Sequence, residues 1–148
     1  DNSNRNDISS VRIAHDTANL YVRVETAEAV TAYNGTDKNW MNLLIQTENG
    51  GENSFAGFQY IVNRSPDGSG KTSVEKSRGG FSWESAGSAQ SGNVVLYSIP
   101  LASLGLTAQN CYIRIKACDN VTTPDDIMDY YVSGDSAPIG RFAYSYGY

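Results

Sequence analysis

The chain has 148 residues, 40% of them apolar, with 11 basic and 16 acidic side chains and a formal net charge of −5. That length suits one domain with one core, and the apolar content excludes a disordered chain. The acidic balance is the wrong sign for a phosphate-neutralising nucleic-acid surface, and no apolar run approaches the roughly eighteen residues of a membrane span.

The hydrophobic spacing has period two almost throughout, the signature of strands. Val11 and Ile13 form one alternating run and Leu20, Val22 and Val24 a second, with a polar turn at 15–19 joining them as a hairpin. His15, the only histidine, is expected at the exposed lip of that turn. A strand over 40–47 presents Met41, Leu43 and Ile45 on one face and is half apolar on the other. Asn49-Gly50-Gly51 then turns the chain into a long strand over 55–63, again as a hairpin.

Shorter strands follow at 72–77, 81–84 and 94–99, separated by Asp67-Gly68, Ser69-Gly70 and Gly79-Gly80. Pro100-Leu101-Ala102-Ser103-Leu104-Gly105 reads as a single helical turn, opened by proline and stopped by glycine. Further strands are predicted over 111–118, 127–132 and 141–146, with a turn at Ser133-Gly134-Asp135. About ten strands at roughly ten-residue spacing predict an all-β fold, a two-sheet antiparallel sandwich of jelly-roll or immunoglobulin-like type filling 1–148.

Cys111 and Cys118 bracket one strand, which puts them about 23 Å apart on opposite faces and predicts two free thiols. One histidine and two separated cysteines supply no zinc set. From Asp119 onward five acids face Arg141 alone, so four of the five net negative charges lie in the last fifth of the chain. Asp119, Asn120, Asp126 and Asp129 are therefore the candidate calcium ligands, with Asp125 beside them. The ordinary alternatives are a turn at Asp125, and for Asp129 an ion pair with Arg141 or backbone capping. Asp7, beside Arg5 and Asn6, meets this region if the first and last strands are neighbours.

Catalysis is poorly provided for. The lone histidine is far from any glycine-flanked serine, and Gly68-Ser69-Gly70-Lys71-Thr72 lacks the earlier glycine of a phosphate loop. The aromatic inventory is richer: ten Tyr, two Trp and four Phe. Such rings either fill the core or offer flat faces to the C–H faces of sugars. Trp40, Trp83, Tyr33 and Tyr60 are the candidate plates, Tyr33 being the one a loop would expose, with Asn63 and Arg64 as polar helpers.

Arg5-Asn6-Asp7-Ile8, Leu20-Tyr21-Val22, Asn39-Trp40-Met41, Val62-Asn63-Arg64, Gly79-Gly80-Phe81-Ser82-Trp83 and Asp126-Ile127-Met128-Asp129-Tyr130-Tyr131 form a set that spans the chain. As a set they resemble sandwich domains of bacterial secreted carbohydrate-active proteins, similar to family 9 carbohydrate-binding modules and the DOMON-like group. The resemblance implies a noncatalytic, extracellular module. Its partners would be an oligosaccharide or polysaccharide and a catalytic domain of the same polypeptide, with structural calcium and no membrane insertion. It also implies a sugar clamp between two tryptophans, for which Trp40 and Trp83 are available. Haem, which some relatives bind, is not expected, since His15, Met41 and Met128 are the only candidate ligands and Met41 falls on a buried face. The alternative role is a spacer that packs on a catalytic neighbour without touching glycan. Opening on Asp1 with no basic-then-apolar leader, the chain reads as an excised or processed piece.

Overall fold

A computed structural model describes residues 5–48, 51–92 and 96–147. Among the described residues there are ten strands: β1 (Ile8–His15), β2 (Asn19–Thr26), β3 (Asn42–Thr47), β4 (Tyr60–Val62), β5 (Lys71–Gly79), β6 (Ser82–Gly92), β7 (Leu96–Pro100), β8 (Ile113–Asp119), β9 (Asp135–Ala137) and β10 (Tyr144–Tyr146). All neighbouring strands pair antiparallel, so the all-β expectation holds.

The arrangement differs from two separate sheets. The ladder runs unbroken in the order β1-β2-β7-β6-β5-β4-β3-β8-β10, with β9 also on β8. The sheet curls until its ends nearly meet, giving an almost closed barrel. Side chains bridge the remaining seam. The backbone N–H of Ile8 donates to the Asp135 carboxylate at one end, and His15 joins Tyr146 at the other. Alternation alone cannot separate these architectures, because inward and outward residues alternate in both. Irregular register in β1 and in the β5–β6 pair helps to bend the sheet.

The barrel interior holds Leu20, Val22, Val24, Leu43, Ile45, Val62, Tyr97, Ile99, Ile113 and Ile115. A second, smaller cluster lies on the outer face, where Leu44, Ile61 and Cys118 are covered by Phe55, Phe58, Val121 and Tyr130. Strands β3, β4 and β8 are thus buried on both faces, which explains the half-apolar second face of β3. Cys111 belongs to the inner cluster and Cys118 to the outer, and both are free.

Several elements depart from the sequence reading. The expected strand over 127–132 is a 3-10 helix, Ile127–Tyr131, because the Asp126 side chain caps it by accepting from Met128 N. Asp135, placed in a turn, starts β9. The strand over 81–84 is the beginning of the eleven-residue β6, whose mostly exposed Ser, Gly, Glu and Gln positions carry no hydrophobic alternation. Its partners β5 and β7 make it a strand. Of the strand over 55–63 only Tyr60–Val62 is in the main ladder; Phe55 to Phe58 forms a tight turn with Ala56 and Gly57 at positive φ. Trp40 and Met41 precede β3, with Met41 at φ 48. The 3-10 turn Leu101–Leu104 ends on Gly105 at φ 67, as proline and glycine foretell. Asn49, Gly50, Val94 and Val95, parts of two predicted elements, lie outside the described residues. No helix among the described residues is long and apolar enough to cross a membrane.

Candidate ligand-binding groove

Two loops build the groove at one end of the barrel. The first joins β2 to β3 and carries Tyr33 and Trp40. Its shape comes from short polar side chains: Asn34 Oδ1 accepts from the backbone of Thr36 and Asp37 at 2.9 and 2.8 Å, and Asn6 Oδ1 accepts from Thr31 N at 2.7 Å. The indole of Trp40 donates its N–H to Thr31 O at 3.0 Å.

Beneath this loop lies a charged clasp. Arg5 donates Nε to Asp119 Oδ2 at 2.9 Å and Nη2 to Asp37 Oδ2 at 2.7 Å, while Asp119 Oδ1 also accepts from Met41 N. The Asp119 side chain is fully enclosed; burial pushes its carboxyl up, against the pull of Arg5 and Met41 N.

A buried polar network fixes the backbone at Trp40 and Met41. Asn63 Nδ2 donates to both carbonyls, at 3.2 and 3.0 Å, and its Oδ1 accepts from Thr72 Oγ1 at 2.8 Å. Asn42 Nδ2 donates to Asn63 O at 3.0 Å, and the Tyr97 hydroxyl donates to Met41 O at 2.7 Å. Asn63 itself sits at φ 77, a conformation that asparagine tolerates better than most residues. The network holds Met41 in its left-handed conformation and keeps the indole of Trp40 in place.

The second loop runs from Asn63 to Lys71. Asp67 Oδ1 accepts from Ser69 N and Oγ at 2.8 and 2.7 Å, bonds that hold its carboxyl below the usual range. Gly68 and Gly70 supply positive φ, and Gly70 O accepts from Ser91 N at 2.7 Å. Between the loops is a groove of about 260 Å³ lined by Tyr33, Trp40, Pro66, Lys71 and Ser91, among others. The Tyr33 and Trp40 rings are 5.2 Å apart at 40°. Past Lys71 the surface continues into a shallow hollow of about 240 Å³ with the hydroxyls of Ser65, Ser73 and Ser88. An apolar ring floor therefore adjoins an ammonium and a row of hydroxyls.

The predicted site residues are dispersed. Tyr33 is half-buried and forms a wall of the groove. Trp40 lies beneath it with only 3% of its surface exposed. Tyr60 is enclosed in the inner cluster, where burial pushes its phenol up. Asn63 is wholly buried and orients Trp40 from below, so it is no ligand contact in this arrangement. Arg64 pairs with Glu75 at 3.1 Å and lies over the Phe81 ring. Trp83 packs against Phe81 on the outer cluster, its N–H buried without a hydrogen-bond partner among the described residues. Trp40 and Trp83 thus sit in different clusters on opposite faces of the sheet, and the expected tryptophan clamp does not form.

The four candidate calcium ligands do not converge. Asp119 is taken by Arg5, and Asn120 N donates to Asn39 O. Asp126 caps its 3-10 helix. Asp129 accepts from Thr123 N and Ser133 Oγ, which hold its carboxyl down and make it a capping residue with Arg141 elsewhere. Among the described residues no three His, Cys, Asp or Glu side chains gather as a metal site. His15 is half-buried rather than at an exposed lip. Its Nε2 lies 2.9 Å from Ala108 O, an acceptor, so Nε2 carries the proton and Nδ1 faces the Tyr146 hydroxyl at 2.7 Å.

Sequence reasoning reads Gly68 to Lys71 as punctuation and as an incomplete phosphate loop, although that segment forms half the groove. The available signal was a lysine directly after a Gly-Ser-Gly turn that faces an aromatic loop. No family model, no curated protein and no solved structure matches the chain.

Proposed function

We propose that this domain is a noncatalytic carbohydrate-binding module that holds a saccharide against Tyr33 in the groove above Trp40. In this reading it is an accessory part of a secreted bacterial glycan-degrading protein. The observation that carries it is the half-buried Tyr33 ring, backed by Trp40 at 5.2 Å, beside Lys71 and a row of hydroxyls. A sugar offers an apolar C–H face to a ring and hydroxyls to polar neighbours, which matches that division. Tyr33 gives the diagnostic substitution because Trp40 is a core residue whose removal would unsettle the fold. Tyr33→Ala is expected to abolish retention on a neutral glycan array while the domain still melts cooperatively, at a temperature lowered by the lost contact with Trp40. Retention equal to that of the native chain, or no retention by the native chain on a broad array, removes this role.

A second reading, a spacer packed on a catalytic neighbour, draws support from exposed apolar side chains: Met128, Val132, Ile139 and Phe142 are each more than half exposed. Substituting Met128, Val132 and Ile139 by serine would weaken association with a catalytic domain under that reading.

A further inference from the structure

The outer face of β3, β8 and β10 carries a second groove, away from Tyr33 and Trp40. Its floor is a cross-strand row in which Arg114 of β8 lies between Gln46 of β3 and Ser145 of β10. One wall is the turn at Gly57 and Phe58, the other is Arg141 and Phe142, and the space between is about 340 Å³. That is within the range of roughly 300–1,000 Å³ typical of small-molecule sites. A smaller recess of about 200 Å³ continues past Arg114 to Tyr112 and Glu48.

The charge here is unusual for a chain of net −5. Arg114 and Arg141 both line the groove, and among the described residues neither has a carboxylate within ion-pairing distance. Lys116, two residues along β8 on the same face, adds a third positive charge beneath the surface. The acid at the margin is Glu48, in the recess rather than the groove. Ser145 and Arg114 lie close enough to the Tyr112 phenol to hold its pKa down, so these polar groups share one patch. Two guanidinium forks flanked by an amide and a hydroxyl match the oxygens of a carboxylate or sulfate. The ring of Phe142, 61% exposed, supplies an apolar face beside them.

We infer that the groove between Arg114 and Arg141 binds the oxyanion of an acidic saccharide, either a uronic acid or a sulfate ester. This rests on the saccharide reading above for what carries the anion, and it places that anion at a different site. The test titrates the intact chain, by calorimetry and nuclear magnetic resonance, with oligogalacturonate, a sulfated oligosaccharide and a neutral oligosaccharide. At least one acidic chain is expected to bind more tightly than the neutral one, to shift the amides of β8 and β10, and to weaken as salt is raised. The double variant Arg114→Gln and Arg141→Gln, both at exposed positions, should lose about tenfold or more in affinity for that chain with melting unchanged. Arg114→Lys should fall between, keeping charge without the fork. Tyr33→Ala should leave acidic binding intact.

Acidic binding equal in the double variant and the native chain overturns the inference, as does acidic binding no tighter than neutral. The neutral chain in the same titrations, with and without Tyr33, reports separately on the first groove. The two ideas can therefore fail independently, and the acidic ligand that responds to the arginines distinguishes carboxylate from sulfate.

Discussion

Lys116 offers a test of the barrel's electrostatics that does not depend on any ligand. Its residue is 0% exposed, it stands opposite Leu44 on the outer face of β8, and its ammonium donates to Pro138 O. No carboxylate pairs with it among the described residues. Burial therefore pushes its pKa down from 10.5 to about 8. At about 1.4 kcal/mol per tenfold, holding the charge costs roughly 3 kcal/mol. Relaxation of nearby backbone dipoles around the charge leaves about 2 kcal/mol of that.

The folded chain binds fewer protons than the unfolded chain between these two pKa values. The cost is therefore fully present below about 8 and disappears as pH rises to 10.5. Lys116→Met removes the charge at similar volume but gives up the bond to Pro138 O, a loss of about 1 kcal/mol. The variant should be more stable than the native chain by about 1 kcal/mol at pH 7 and less stable by about 1 kcal/mol at pH 10.5. Urea unfolding of both proteins at the two pH values measures this. The buried tyrosines titrate in both proteins, and the Cys118 thiol, pushed up to about 12 by burial against the pull of Lys116, stays protonated in the folded chain at both pH values, so the difference reports mainly on Lys116. A variant destabilised by the same amount at both pH values would refute the reasoning.

Arg5→Ala leaves Asp119 enclosed without its partner and should cost about 2–3 kcal/mol at pH 7. Because burial already raises the Asp119 pKa, the loss should shrink as the solution is acidified and that carboxylate takes up a proton; thermal melts showing an equal loss at pH 7 and 4.5 would count against it. Asn63→Leu strips the Trp40 and Met41 carbonyls of a donor and should cost about 2–4 kcal/mol in calorimetry, with glycan affinity falling as Trp40 moves. Gly134→Ala forces a Cβ to 2.4 Å from Asp119 O and 2.6 Å from Val121 N at φ 63, so a melting temperature within a degree of the native value would contradict the close approach of these backbones. Its expected cost is about 2 kcal/mol or more.

Local patterns were legible where one residue's neighbours in sequence decide its fate. The β1–β2 hairpin followed from alternation, the Leu101–Leu104 turn from its proline and glycine, and the opposite faces of Cys111 and Cys118 from strand period. Wherever a partner distant in sequence decides, the same reasoning stopped short. Past Glu84 nothing local marks the rest of the strand ending at Gly92, because its state comes from β5 and β7. Asp126 turned the 127–132 apolar run from strand to 3-10 helix through one side-chain bond.

The sequence alone determined that this chain would be an all-β domain with reduced cysteines, since period-two burial and the spacing of two residues along one strand are properties of the covalent chain. Only the tertiary structure decided that the sheet curls toward closure, that Arg5 reaches Asp119 across 114 positions, and that Tyr33 rather than Trp83 partners Trp40. It also brought Arg114 and Arg141 to one groove. The physical reason is that alternation sets which way a side chain points from its own strand. Strand order and loop path set what it meets there, and those are settled by contacts among residues far apart in the chain.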